Sequence, residues 1–499
     1  MTADLPVRPT LKGRSHGPEG LEAAKPKVAA PLDPGFRPLV LANHAFRRAL
    51  QASGQAVPVK IGLEREDGHI SIFEAEVFEP GAGMAARSGD PEGTPSGCPR
   101  RAAANLGYLE RMVKTLLWQR GGWRVILEGP KELAGQVRAI YSPGGARAFD
   151  ADFMGGVYEH PFSVEPAGPE GIPQPYETPV LVGRHLEGCR IGFDAGASDR
   201  KVAAVIDGEP VYSEEVVWDP RNQGDPEYHH REISAALKSA AARMPRVDAI
   251  GVSAAGIYIQ NRVRVASLFR GVPKDLFERK VRDLFLRVQQ EWGGVPLAVV
   301  NDGEVSALAG AMTLNDTAVL GLALGSSEAG GYVDTKGSLT TRLNELAFVP
   351  IDVSPDAAVD EWSGESGVGA QYLSQMAVVR LAPAAGIELD PKQTPAEQLQ
   401  HVQGLLAQGD DRARRILETI GVYLGYAIAH YADFYHFRHV LVLGRVTSGQ
   451  GGPIVLERAQ QVLDEEFPEL AARAALHLPD ELGRRVGQAV AAASLPALQ

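Results

Sequence analysis

A chain of 499 residues is longer than one hydrophobic core usually serves, so two or three domains are expected. The apolar fraction of 44% and the charged fraction of 22% are those of ordinary soluble proteins, and no run reaches the roughly eighteen apolar residues that span a membrane. A net charge of -12, with no basic arm or lysine-rich run, argues against a nucleic-acid partner.

Residues 1–35 are rich in Pro, Gly and charge without a sustained apolar period, the composition of a flexible tail. They carry no apolar run followed by a small-residue cleavage site, so no secretory signal is read there and the cytoplasm is the expected location. Residues 36–182 read as an α+β domain of unknown role. LANHAFRRALQA has helical spacing, VPVKIGLE and ISIFEAEVF alternate as strands, LGYLERMVKTLLWQR is a helix, WRVILEG a buried strand and KELAGQVRAIY a further helix. The segment shows no pair of short helices around a glycine turn and no basic recognition helix, so a winged helix-turn-helix is not expected. The proline-rich GPEGIPQPYETP closes it as a linker.

Beyond the linker the pattern changes. CRIGFDAG, KVAAVID and EPVYSEEVVW read as successive strands, and the helix REISAALKSAAARM leads to strand DAIGVSAAG. DLFERKVRDLFLRVQQEW, expected as one helix, leads to strand PLAVVND and helix GEVSALAGAM. TAVLGLALGSSEAGGYVDTKG is two strands around a Ser/Gly loop. Then come helix ARRILETIGVYLGYAIAHYADFY, strand HVLVLGR, helix VLERAQQVLDEEF and the small-residue helix RRVGQAVAAASL. Alternating strands and helices with glycines at strand ends describe an α/β fold that binds ligands at the carboxyl ends of its strands.

Four constellations at such ends suit a nucleotide and an acceptor hydroxyl. Asp194, Gly196 and Ser198 in DAGASDRK form a hairpin turn whose backbone and hydroxyl can approach phosphates and whose carboxylate can hold magnesium through water; a plain turn is the bland alternative. Gly325, Ser326 and Ser327 form a second small-residue hairpin of the same kind. Asn301 and Asp302 lie between an apolar strand and a helix, where a carboxylate can take the proton of an attacking hydroxyl or merely cap the helix. Gly444 ends the strand in HVLVLGRVTSG, where adenosine can lie or a core strand can simply turn. His229 and His230, in a polar stretch before a helix, are expected to be solvated, and His430 and His436, near four tyrosines, to pack. Cys98 and Cys189 fall in loop or junction segments, fit a reducing compartment and cannot supply the thiolates of a zinc site.

The order and spacing of these elements over residues 190–495 resemble the actin, hexokinase and heat-shock ATPase superfamily, and more narrowly the ROK family, named for repressors, open reading frames and kinases. IGFDAGASDRKVAAV is similar to its first phosphate motif, AIGVSAAGI to its second, VVNDGEVSALAGA to its catalytic Asn-Asp motif and LALGSSEAGG to its Gly/Thr loop. NELAFVPI and DEWSGESGVGAQYLS align with further family motifs. The resemblance implies a two-lobed ATPase domain of ribonuclease H-like fold, with ATP and Mg2+ as cofactors. It implies Asp302 as general base, Asn301 and Glu345 on sugar hydroxyls, Asp194, Ser198 and Ser326 toward the Mg-ATP phosphates, and Gly444 under adenosine. A sugar as small-molecule partner and a homo-oligomer, dimer or tetramer, follow from the same resemblance.

Departures accompany it. Glu304 replaces the second Asn of the catalytic motif, Ser267 stands where an Asn often meets the sugar, and Ala370 falls near a sugar-binding Glu position. Phe348 stands where the family has a histidine that binds zinc and sugar, and Trp362–Val368 replaces a cysteine-rich motif without a thiol, so no structural zinc is expected. The expected function is an ATP-dependent kinase acting on a hydroxyl of a sugar or sugar-like molecule. The thinned sugar contacts also suit a catalytically degenerate sensor or regulatory protein with residues 36–182 as its output.

Overall fold

A computed structural model describes residues 25–80, 97–177, 183–196, 199–340, 342–479 and 481–498. Its N-terminal part is a four-stranded sheet of order β2-β1-β3-β4, made of β1 (Ala56–Glu64), β2 (Ile70–Phe78), β3 (Arg124–Glu128) and β4 (Ser163–Pro166). With it come α1 (Leu39–Ser53), α2 (Gly97–Arg120), α3 (Lys131–Ile140) and α4 (Ala148–Tyr158). The last helix is absent from the sequence reading, because AFDADFMGGVY is apolar nearly all round and even its Asp150 is buried, leaving no polar face to reveal a period.

The apolar side chains of this part do not close on themselves. Phe36, Phe46 and Trp118 belong to one cluster with Leu346, Tyr372, Tyr423 and Tyr426 from the C-terminal part. The expected tail is corrected over 25–35: Val28 and Ala30 are buried, Lys27 N donates to Glu466 Oε1 at 2.6 Å, and Leu32 N donates to Thr419 Oγ1 at 3.2 Å. A few apolar residues among the prolines suffice once a docking surface exists. Residues 1–24 and 178–182 lie outside the described residues.

In the C-terminal part, β5 (Cys189–Ala195), β6 (Asp199–Ile206) and β7 (Glu209–Val217) form an antiparallel meander. β8 (Ala249–Ala254) follows, then the hairpin β9 (Ile257–Ile259) and β10 (Arg262–Val265), and then β11 (Leu297–Asn301). The resulting mixed sheet has the order β11-β8-β5-β6-β7, with β8 and β11 parallel to β5. Helix α5 (Pro226–Ala241) covers it. The single helix expected over 275–292 is instead α6 (Lys274–Leu276), a wider π turn over Phe277–Val281 and α7 (Leu284–Glu291), because Val263 N of β10 takes the Arg282 carbonyl at 2.9 Å out of the helical ladder.

Helix α8 (Asp302–Leu314) leads to a second mixed sheet, order β13-β12-β14-β15, built from β12 (Val319–Leu324), β13 (Glu328–Val333), β14 (His439–Leu443) and β15 (Ala475–His477). Its helices are α9 (Gln375–Ala385), α10 (Pro395–Ala407), α11 (Asp411–Tyr431), α12 (Gly451–Glu466) and α13 (Pro468–Ala471), followed by the final α14 (Glu481–Ala493). Helices α8 and α14 pack on each other and against the sheets. Glycine makes that seating possible: a Cβ at Gly192 would lie 1.7 Å from Ala489 O, and one at Gly251 1.6 Å from Ala492 O. The same device brings the start of α8 onto the second sheet, where a Cβ at Gly331 would meet Gly303 O at 2.2 Å.

Candidate active site

The carboxyl ends of β5, β8 and β11 lie side by side, with Asp194 opposite Ser253 and Asn301 opposite Ala254. Ser253 Oγ donates to Asp194 Oδ1 at 2.7 Å, and Gln488 Nε2 of α14 reaches Ser253 Oγ at 3.3 Å and Asp302 O at 3.4 Å. Burial raises Asp194 to about 6, with Asp302 adding repulsion and the Ser253 hydroxyl opposing the rise.

At the next junction the cap of α8 is Asn301, not Asp302. Asn301 Oδ1 accepts from Gly303 N at 2.8 Å and Nδ2 donates to Gly256 O at 2.8 Å, so both ends of this side chain are engaged by backbone. Asp302 accepts from Gly303 N through Oδ1 alone, at 3.0 Å. Burial raises its carboxyl above the ordinary value, against the pull of the helix-start N–H groups and of Arg221. Arg221 faces Arg270 and Arg445 as well as Asp302, which lowers its own pKa after the larger effect of burial. Sequence reasoning missed these three cations; their only signal is that each lies in a loop following a strand or short turn of the C-terminal part.

Across the cleft, the loop after β13 carries Asn344 and Glu345. Burial, reinforced by Asp302, raises Glu345 to about 7. Glu304 is raised by burial to about 8 and accepts from Asn344 Nδ2, while Asn344 Oδ1 accepts from Tyr435 OH at 2.7 Å. At neutral pH Glu304 is therefore protonated for the most part, and in this structure it anchors Asn344. The loop backbone is held by the N-terminal part: Leu343, Asn344 and Glu345 N donate to Arg120, Gln119 and Trp118 O at 3.3, 2.9 and 3.0 Å. Those carbonyls end α2 and have no partner within the helix.

The two small-residue loops expected to approach phosphates follow β5 and β12, at the ends of the two sheets. Gly196 O accepts from Trp218 Nε1 at 2.8 Å, and Ser198 lies outside the described residues. Gly325 N donates to Ser327 O at 3.0 Å, with Ser326 and Ser327 exposed. Gly444 has φ 105°, and a Cβ there would stand 2.4 Å from Leu324 O, so the ends of β12 and β14 abut and bring Gly444 beside Gly325. Among the described residues no group of three or more His, Cys, Asp and Glu could hold a metal ion; magnesium shared between one carboxylate and phosphates requires no such group.

No family model and no curated protein matches the chain. Among solved structures it is similar to a ROK family glucokinase from Streptomyces griseus in complex with glucose and AMPPNP, at 22% identity and TM-score 0.45, covering 61% of this chain and 98% of that one. It is similar to the ROK hexokinase from Thermus thermophilus at 18% identity and TM-score 0.47, covering 61% and 97%. A ROK family transcriptional regulator, described as a homolog of the E. coli MLC protein, matches at 19% identity and TM-score 0.50, covering 62% of this chain and 78% of that one. Over 62% of its length the chain shares the fold of that regulator. A shared fold does not by itself fix an activity.

The region around Phe348 and Glu365 is occupied by packing and charge. Phe348 lies against Trp118, Trp362 and Phe149, with ring centroids 4.4, 5.3 and 6.0 Å away. Beneath it the fully buried Lys114 bonds Asp150 Oδ1 and Oδ2 at 2.9 and 2.8 Å and also reaches Glu365; Arg147 Nη1 meets Glu365 Oε1 at 3.2 Å and Trp118 Nε1 meets Asp150 Oδ1 at 2.8 Å. The solvated reading of the histidine pair is corrected. His229 is buried, its Nε2 2.9 Å from Pro220 O and 3.1 Å from Leu268 O, and His230 Nε2 lies 2.9 Å from Glu291. The helix spacing of α5 turns His229 inward with Ile233 and Leu237. His430 is buried against Phe434, which pushes its pKa down to about 4. Among the described residues no helix is long and apolar enough to cross a membrane.

Proposed function

We propose that the chain is an ATP-dependent kinase phosphorylating a hydroxyl of a sugar or sugar-like small molecule, with Asp302 as general base. The observation that supports it most is the meeting of three carboxyls from separate elements, each raised by desolvation: the buried Asp194 from β5, and the half-buried Asp302 from α8 and Glu345 from the loop after β13. Asp302 Oδ1 is tied to Gly303 N, which leaves Oδ2 to receive the acceptor's proton. Glu345 orients acceptor hydroxyls from the other side, and Glu304 shapes the pocket through Asn344.

The residues present fit a nucleotide, since the strand end at Gly444 leaves no room for a side chain and Ser326 and Ser327 beside it are exposed. Mg-ATP, when bound, supplies the phosphoryl group and part of the counter-charge. Asp194 would hold the magnesium through water, Gly196, Ser198, Gly325, Ser326 and Ser327 would face the phosphates, Gly444 the adenosine, and Arg221 would balance charge near Asp302. The same reading makes the protein a cytoplasmic homo-oligomer without nucleic-acid or membrane partner. It also leaves out structural zinc, because Phe348 offers no ligand atom.

Thermal unfolding with Mg-ATP and a panel of sugars tests binding; turnover of any stabilising sugar by Asp302→Asn tests the base. A loss of about 10²–10⁴-fold with the Mg-ATP shift retained is expected. Undiminished turnover would remove Asp302 from that role. A sensor is the second reading, favoured by the hydrogen bonds that tie the Glu345 loop to α2, and no stabilisation by saturating Mg-ATP would move the weight to it.

A further inference from the structure

Three arginines from separate elements converge on one carboxylate beside the Glu345 loop. Arg65 follows β1, Arg120 ends α2 and Arg342 precedes Asn344 by two positions; their guanidinium nitrogens lie 3.7, 3.8 and 3.6 Å from the carboxylate oxygens of Glu177. Ser71 Oγ donates to the same carboxylate. The arginine side chains are only 2%, 14% and 16% exposed, whereas Glu177 is 36% exposed.

This arrangement is poorly matched as a purely structural ion cluster. Arg120 and Arg342 both face this one carboxylate, at distances well beyond the roughly 2.7–2.9 Å of a charge-assisted hydrogen bond. The buried Nε atoms of Arg120 and Arg342 have no partner among the described residues. Burial, and then repulsion from Arg342, draws Arg120 down to about 10, the mark of a cation short of counter-charge. Burying such groups costs free energy that one distant carboxylate does not recover.

The cluster also borders the acceptor side of the cleft. Arg342 acts electrostatically on Glu304, and both Arg342 and Arg120 act on Tyr435, whose hydroxyl donates to Asn344. The backbone from Leu343 to Glu345 is bonded to the last carbonyls of α2, including that of Arg120. Glu304, protonated for the most part at neutral pH, offers little charge of its own to neutralise the arginines.

We infer that Arg65, Arg120 and Arg342 form an anion subsite of the acceptor pocket, filled by the Glu177 carboxylate when no ligand is present, and that the acceptor is a sugar bearing a carboxylate or a phosphate. The inference rests on the reading of Glu345 as an acceptor-binding residue. Planar guanidinium forks match the oxygens of either anion, and a ligand anion that displaces Glu177 gains the contacts that Glu177 makes at long range.

Calorimetric titration of the full chain in Mg-ADP at fixed ionic strength tests it, with gluconate, glucuronate, glucose 6-phosphate, glucose and inorganic phosphate as probes. An anionic sugar is expected to bind at least about tenfold tighter than glucose, Glu177→Gln to tighten it by about tenfold, and Arg342→Gln to erase the difference between anionic and neutral sugars. Preference for the two acids or for the phosphate ester identifies the anion. Glucose binding as tightly as every anion, in the wild type and in Glu177→Gln, overturns the inference and leaves the kinase reading standing. Failure of all sugars while inorganic phosphate binds in an Arg342-dependent way removes the acceptor reading, and the inference with it. Failure of every probe with Glu177→Gln, shown to be folded by circular dichroism, also overturns it.

Discussion

The two walls of the cleft are built by opposite means. On the first sheet, Asp194, Ser253 and Asp302 are set by strand register and bonded to near neighbours in the fold, with a hydroxyl and a helix-start N–H as their partners. On the other wall, the Glu345 loop hangs from the end of α2, and the segment behind it is fixed by Lys114 and Glu365, 251 positions apart in the chain. The contrast teaches that carboxylates can be placed by sheet geometry alone, while the opposite wall depends on burying charge and aromatic rings between remote segments.

The largest effect should come from Asp302→Asn, about 10²–10⁴-fold in turnover with unfolding midpoints nearly unchanged, because one wall can lose its chemistry without losing its support. A large stability loss in that variant would break the contrast. Lys114→Met leaves Asp150 and Glu365 buried without their shared cation, and urea unfolding should show a loss of about 3–5 kcal/mol together with weaker acceptor binding. A loss below about 1 kcal/mol would mean that this second wall stands without its charge cluster.

Glu328 sharpens the comparison by pH. This buried carboxyl, next to the Gly325 loop, accepts from Tyr431 OH at 2.8 Å through Oε1, has no partner at Oε2 among the described residues, and burial raises it from 4.5 to about 8. A folded-state pKa above the unfolded one gives stability that is present in full below about pH 4.5 and lost as pH rises through 8. Glu328→Gln should therefore flatten the decline of stability between pH 5 and 8 and be the more stable form at pH 8, by roughly 2–4 kcal/mol. An unchanged pH profile would show that Glu328 is ionised in the folded protein. The smallest effect is expected for Ser253→Ala: loss of one hydrogen bond to the ionised Asp194, raising its pKa by about one unit and moving the acid limb of the turnover profile with it. A limb that stays in place would detach Asp194 from catalysis.

Much of the first wall was legible as pattern. An apolar strand ending in Asn-Asp before a small-residue helix describes β11 and α8 closely, and DAGA at the end of β5 puts Asp194 at a strand end. What the pattern left ambiguous was which residue caps the helix, since both Asn and Asp suit that position and only the backbone angles make Asn301 the cap. Arg221, Arg270 and Arg445 gave no periodic signal, and the approach of the other two to Arg221, which alone of the three acts on Asp302, depends on three loops far apart in the chain.

The sequence by itself determined the alternation of strands and helices from 190 onward, the glycine and alanine faces on which α8 and α14 pack, and the absence of a histidine or thiol around 348 and 363, because local period and side-chain size are properties of the chain. Only the tertiary structure decided that residues 25–35 dock, that α4 exists, that His229 is buried, and that an N-terminal helix carries the Glu345 loop. Those outcomes turn on burial against partners hundreds of residues away, and neither burial nor the charge balance it imposes is written in local spacing.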